Sequence, residues 1–374
     1  MKPTLRITTN TNIMPNWSNL PEGVITLVAS KFDGPMSDVI RALRGVCKPW
    51  RADISVAVTK ATKPERAEAG VQEVLKTTPK LRSLTVTGSE GEASETILAD
   101  ISIARKLVPE LKSFVFDLCD LSSCSMPLSE CLGTNTRDLN LASCSLDRCS
   151  VKNLCDFQHL TSLAVRPMDG LFQNTDEFDI IWDAIFTELP SLQILCIDNF
   201  VKSDGVFDIT SSMANLPNLT SLSIIHSYIN RPEFMRNLPR LEHLDLDSTR
   251  FLDPDNRFVY EIPEYITSLN ICKHEFDEDM YLVPYDGLAR LGLLSSLQIG
   301  DDDEVADDVL AVIAGLPSLT RLSISSCCNV VDTGLMSLVR SKLVWLELIH
   351  CIYVTQEGVD ALRAALPGIE VVVR

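Results

Sequence analysis

From residue 81 to its end the chain repeats one short arrangement of apolar positions. "LPSLQILCI" (189–197), "LPNLTSLSI" (216–224), "LPRLEHLDL" (238–246) and "LPSLTRLSI" (316–324) share the frame L-P-x-L-x-x-L-x-[LI]. Looser copies include "TPKLRSLTV", "VPELKSFVF", "HLTSLAV", "YITSLNI", "LLSSLQI" and "KLVWLEL". The first apolar position of each core falls at Leu81, Leu111, Thr136, Leu160, Leu192, Leu219, Leu241, Ile266, Leu294, Leu319, Leu343 and Ile369. That gives twelve units at spacings of 22 to 32 residues, about 26 on average. The L-x-L alternation has period two and predicts a short strand with one buried face. The stretches that follow, such as "TGLMSLVRS" (333–341) and "EGVDALRAAL" (357–366), carry helical spacing. No unit can bury its leucines alone, so neighbours must stack around a shared core.

This period and core resemble the leucine-rich repeat. The resemblance implies an α/β fold: a solenoid curved into a horseshoe of about twelve units. In four units a cysteine stands eight residues after the first core position, at Cys119, Cys144, Cys327 and Cys351. "CNVVDTGLMSL" and "IYVTQEGVDAL" resemble the cysteine-containing repeats of F-box proteins, with their C-x-x-I-T-D-x-G-L tail. "DDDEVADDVLAVI" fits the same frame, with Asp302 at the cysteine position and Val309 at the glycine.

That frame bears on two candidate sites. Asp301, Asp302, Asp303, Glu304, Asp307 and Asp308 cluster carboxylates as a hard cation requires. The frame instead makes Asp307 a helix-start residue whose side chain caps free N–H groups, and no metal site is assigned. The twelve cysteines contain no C-x-x-C pair. Four are accounted for as small buried repeat residues, which favours structural thiols over disulfides or zinc.

Residues 17–56 stand outside the repeat, between an N-terminal tail (1–16) and a linker or first repeat helix (57–80); the repeats fill 81–374. "LPEGVITLVASKF" places Leu20, Val24, Ile25, Val28 and Phe32 on one helical stripe, entered through Pro21. "DGP" breaks it, Ser37-Asp38 can cap a second helix, and a third starts near Val46. Three short helices bury little surface alone, so their apolar residues belong against the first repeat or against another protein.

The stretch "NLPEGVITLVASKF…DVIRALRGVCKPWRADI" resembles an F-box, with its Leu-Pro start and V-C-[KR]-x-W-[RK] close; Gly23, Phe32 and Pro49 depart from the usual pattern. The two resemblances together imply an F-box/leucine-rich-repeat protein: the substrate receptor of an SCF-type cullin–RING ubiquitin ligase. They imply that Leu20, Pro21, Ile25, Val28, Leu43, Val46, Cys47 and Trp50 contact a Skp-type adaptor or support that contact. The alternative is a stand-alone interaction scaffold or inhibitor whose N-terminal helices only cap the solenoid.

The net charge of −18 is uneven. Residues 1–82 hold 13 Lys and Arg against 7 Asp and Glu, and the remainder 20 against 44. So acidic a repeat region repels phosphate backbones, which argues against nucleic acid as its partner. No apolar run reaches a membrane span, and "MKPTLRITTNTNIMPNW" lacks the apolar core of a secretory signal. The expected location is intracellular, cytoplasmic or nuclear.

Residues between the core leucines point away from the core, onto the expected concave face. Arg166, Asp198, His243, Asp245, Asp247, Arg321 and Trp345 are the candidate target-binding residues there. His243, Asp245 and Asp247 suit a basic segment of a protein target. Trp345 is a large aromatic on an outward strand position, which invites cover. The long unit between 160 and 192 offers a second region. There Trp182 and Phe186, four apart, face the core from a helix, and "DGLFQNTDEFD" (169–179) reads as an extended loop. No phosphate-cradling loop, nucleophile elbow or H-E-x-x-H occurs, so neither catalytic residues nor a cofactor is expected.

Overall fold

The computed structural model describes residues 4–6, 58–59, 83–87, 98, 101–102, 105–106, 108–122, 126–146, 151–166, 175–198, 210–213, 215–229, 231–251, 257–272 and 283–374. They fall into two compact units, Met1–Gln173 and Asn174–Arg374.

In the first unit, β1 (Thr4–Arg6) runs antiparallel to both β2 (Val58–Thr59) and β3 (Ser83–Thr87). From β3 the sheet continues in parallel through β4 (Ser113–Asp120), β5 (Asp138–Ser145) and β6 (Ser162–Val165). Thus Thr4–Arg6 lies along the edge of the first repeat strand, and Val58–Thr59 lies along the far side of Thr4–Arg6.

The second unit stacks eight parallel strands: β7 (Ile194–Asp198), β8 (Ser221–Ile225), β10 (His243–Asp245), β12 (Ser268–Cys272), β13 (Ser296–Gly300), β14 (Arg321–Ser325), β15 (Trp345–Ile349) and β16 (Glu370–Val373). Two short strands, β9 (Tyr228–Ile229) and β11 (Arg250–Phe251), pair separately. Eleven of the twelve parallel repeat strands begin two residues after the first apolar position of their unit, and β16 begins one after. The fold is therefore a leucine-rich-repeat solenoid, set in the register that the sequence frame specifies.

Register does the packing. Leu195, Leu222, Leu244, Leu269, Leu297, Leu322, Leu346 and Val371 align across the second unit and are all buried. A one-residue slip would turn every one of them outward. The recurring hydroxyl ahead of each strand has a mechanical role. Thr220, Thr267, Ser295 and Thr320 each donate to a main-chain carbonyl of the preceding repeat, at 2.9–3.1 Å. At the far end of the strands, His226, Ser248, Asp301, Ser326 and His350 all adopt positive φ (49–53°). Each sends its N–H to the next repeat, as in His226 N to Asp247 O (3.1 Å) and Ser326 N to Ile349 O (2.8 Å). This left-handed corner carries the chain out of the sheet once per repeat.

The connections are less uniform than the helical spacing implies. α1 (Leu128–Leu132), α2 (Thr175–Glu188), α3 (Thr210–Met213), α4 (Phe258–Glu261), α5 (Asp307–Ala314), α6 (Asp332–Ser337) and α7 (Gln356–Ala365) are α-helical. Asn153–Asp156, Pro232–Asn237 and Tyr285–Arg290 are 3-10 turns.

Two expectations are corrected. Residues 175–179, expected in an extended loop, form the first turns of α2. Trp182 and Phe186 sit fully buried further along it, with ring centroids 5.7 Å apart. Asp307 does not cap α5, whose cap position is Ala306, without a side-chain bond. Its Oδ2 instead accepts from Thr333 Oγ1 of the next repeat (2.8 Å), and a Cβ on Gly334 would collide with its Oδ1. One repeat later, Asp332 accepts from the N–H (2.8 Å) and hydroxyl (2.6 Å) of Thr355, and its carboxyl lies where a Cβ on Gly358 would go. The acidic residues opening α5 and α6 thus each lock the start of the following helix, and the glycine there leaves room for the carboxyl.

Candidate functional site

The eight residues assigned to adaptor contact, Leu20, Pro21, Ile25, Val28, Leu43, Val46, Cys47 and Trp50, lie outside the described residues. The target-binding candidates are described. Arg166 follows β6 in the first unit and is exposed; the other six belong to the second unit.

Strand alternation puts two rows on the open face of the second unit. Ile194, Ser221, His243, Ser268, Ser296, Arg321, Trp345 and Glu370 form one. Cys196, Ser223, Asp245, Asn270, Gln298, Ser323, Glu347 and Val372 form the next. Most of these side chains are polar and partly accessible, because their alternates supply the core.

The acids are built in rather than loose. Asp245 accepts from Ser223 Oγ (3.0 Å), Asn270 Nδ2 (2.8 Å) and the Asp247 N–H (3.2 Å). Asp247 has its carboxyl pushed above the ordinary range, chiefly by burial and then by the charge of Asp245; His226 and Ser248 oppose the shift. Asp198, closing β7, meets His226 Nδ1 at 2.8 Å. The expected trio of His243, Asp245 and Asp247 is therefore not one cluster. His243 stands exposed in the outer row, and His226 is the imidazole that acts on Asp247. The sequence frame misses His226 because it occupies the left-handed corner, outside the strand alternation. Ser223 and Asn270 sit in that frame, yet only the register shows that both reach Asp245.

At the other end of the face, the Arg321 guanidinium lies over the Trp345 ring, 5.5 Å from its centroid. Trp345 is half-buried by this cover, and the pair presents a flat aromatic–cation surface. Glu347 beside it accepts from Ser323 Oγ (3.2 Å) and pairs with Arg374 Nη1 (3.1 Å).

The cysteines behave as structural thiols. Cys119, Cys144 and Cys327 are buried and Cys351 is half-buried. Burial pushes the thiols of Cys272 and Cys327 up to about 12, and raises those of Cys196 and Cys351. A thiol so shifted holds its proton at neutral pH and is a poor nucleophile. Asp302, at the cysteine position of its repeat, is 2% exposed and is held there by Tyr285 Oη (2.7 Å) and the Glu304 N–H (3.0 Å). Among the described residues, no group of three or more His, Cys, Asp or Glu is placed to hold a metal ion. No helix among them is long and apolar enough to cross a membrane.

Fold and face together define a leucine-rich-repeat protein with a polar open face. No protein-family model and no curated protein matches the chain. Among solved structures it is similar to an internalin (inlF) from Listeria monocytogenes, at 19% identity, 84% of this chain, 98% of that one and a TM-score of 0.38. The structure of the Rad7 and Elc1 complex in yeast matches at 16% identity, 91% of this chain, 87% of that one and 0.46. The leucine-rich repeat-containing protein LegL7 from Legionella pneumophila matches at 15% identity, 78% and 90%, and 0.40. These are likenesses of fold.

Proposed function

We propose that the chain is the substrate-recognition subunit of an SCF-type ubiquitin ligase. Residues 17–56 dock on a Skp-type adaptor tied to a cullin–RING core, and the open face of the repeats holds a target protein. One observation carries this reading: the F-box-like stretch from "LPEGV" to "VCKPWR" stands directly ahead of repeats whose cysteine-bearing tails resemble those of F-box proteins. The chain contributes no nucleophile, and its part in the chemistry is proximity, raising the effective concentration of a target lysine. The protonated thiols agree with that role. The intact protein works inside the cell, in cytoplasm or nucleus. Its target, a protein and not a nucleic acid, is met through Asp198, His243, Asp245, Asp247, Arg321 and Trp345 in the second unit and Arg166 in the first.

The test is capture of a purified Skp-type adaptor by the full-length protein, compared with the Leu20→Ala/Pro21→Ala variant. Binding that the double substitution removes, with circular dichroism unchanged, supports the proposal. No binding by the folded wild-type protein ends it.

A second reading has its own observation. β1, ahead of residues 7–57, closes the edge of the first repeat strand, and β2, after them, pairs onto β1, as an end cap does. Under this reading the protein is a stand-alone interaction scaffold, and adaptor binding is absent while target binding persists.

A further inference from the structure

Two charges on the open face of the second unit have no counter-charge bonded to them among the described residues. Arg321 opens β14 and is exposed. Its guanidinium makes no hydrogen bond or ion pair among the described residues, and lies over the Trp345 ring, 5.5 Å from the centroid. A guanidinium supported by an aromatic ring keeps its N–H fork available to take a carboxylate bidentately. Asp247 is the opposite case. Its carboxyl receives one long bond, from Ser248 Oγ (3.4 Å), and among the described residues no cation is bonded to it. His226, whose charge acts on it, is bonded to Asp198 instead (2.8 Å). Burial and the charge of Asp245 both oppose its ionisation, so a cation from outside would relieve a penalty that the fold leaves standing.

Register fixes the distance between the two. Leu246 N bonds Asn270 O (2.9 Å) and Ser248 N bonds Cys272 O (2.7 Å), which puts Asp247 alongside Cys272. Cys272 pairs with Gly300 and Gly300 with Ser325, four residues beyond Arg321 on β14. The charges are thus three strand steps and four residues apart, about 20 Å on the diagonal at about 4.8 Å per step and about 3.3 Å per residue. Gln298, exposed on β13 and beside the Cys272 thiol, stands on that diagonal. Its amide can both donate to and accept from the main chain of a segment that crosses it.

Resting on the reading that this face holds a target protein, we propose that it takes an extended, two-signed segment of that protein, laid diagonally across the strands. A lysine or arginine of the segment meets Asp247, and an aspartate or glutamate about six residues away meets Arg321. Opposite charges at the two ends fix which end lies where, since the reversed placement sets cation against guanidinium and carboxylate against carboxylate. A wholly basic segment, which the acidic surplus of the repeats would attract, fits less well: it leaves Arg321 without a counter-charge and puts a like charge beside it.

Selection from a randomised peptide library against the immobilised 374-residue protein tests the proposal. The expected peptides carry a basic and an acidic residue about six positions apart, and bind the protein in solution less tightly as salt is added. Asp247→Asn should remove the preference for the basic residue, and Arg321→Gln the preference for the acidic one. Each should weaken a selected peptide by about tenfold or more, as loss of a hydrogen bond to a charged group does, with the circular dichroism of the wild type. Arg321→Glu should select peptides that are basic at both ends. No binders, binders without the two-signed pair, or binders indifferent to both substitutions overturn the proposal. Adaptor capture through residues 17–56 is a separate measurement. An adaptor that binds while the selection fails removes this proposal alone, whereas two-signed peptides without adaptor binding remove the ligase reading and keep the face.

Discussion

Single carboxylates decide much of the local chemistry, and their destinations differ. Asp332 is held below the ordinary carboxylate range by its two bonds from Thr355. A depressed folded value contributes stability above the unfolded pKa, and that contribution is lost as pH falls through the folded one. Asp332→Asn should therefore narrow the gap between neutral and strongly acidic stability, read from urea melts. Asp247 has the opposite sign. Its raised value means that keeping it ionised opposes folding at neutral pH, a penalty that fades as pH falls through its folded pKa. Asp247→Asn should raise the neutral melting temperature, and the difference from wild type should shrink toward pH 3. Gly358 answers to Asp332 sterically. Gly358→Ala should destabilise by about 1–3 kcal/mol, as overpacking does, and by less in an Asp332→Ala background, a coupling that a double-mutant cycle measures.

Between neighbouring repeats, the polar exchange at the cysteine position is the informative feature. Three repeats fill it with a buried thiol, at Cys119, Cys144 and Cys327, whereas one fills it with Asp302. A buried carboxylate needs donors, and Tyr285 supplies one from the preceding 3-10 turn. Tyr285→Phe should cost about 1–3 kcal/mol, the usual penalty for depriving a buried acceptor of its partner. Adding Asp302→Cys should recover most of it, since the repeat's ordinary residue needs no such donor; chemical denaturation of the two variants checks this. The open-face counterpart is the Arg321–Trp345 stack. Trp345→Ala should weaken target binding by at least tenfold, in the manner of an interface anchor, while leaving the melting temperature within a few degrees. Early melting would instead make Trp345 structural.

At the scale of the whole molecule, stability is shared between neighbours, so position along the stack governs the cost of a substitution. Leu297 is buried in β13 between two strands, and Leu297→Ala should lose about 2–5 kcal/mol. Val373→Ala in β16, more than half exposed and paired among the described residues only with β15, should change little. The charge of −18 is a property of the entire chain. It favours solubility and makes the exposed ion pairs dependent on salt.

What the amino-acid order determined by itself is the repeat: twelve strands, their starts and their buried leucines. Both periodicities, two within the strand and about 26 between strands, are written in the spacing of apolar residues. Trp182 and Phe186 were legible in the same way, through helical spacing. The partners of polar side chains were not legible, because a hydrogen bond between repeats joins residues some 25 apart, and only stacking brings them face to face. Thus Asp307 reaches Thr333 rather than its own helix start. His226 finds Asp198 from a corner that the strand alternation does not index. Thr4–Arg6, read as a tail, lies along β3, since an open strand edge attracts whatever chain can pair with it. Hydrophobic period is a local record of the fold, whereas polar partnership and edge pairing are settled only when distant segments meet.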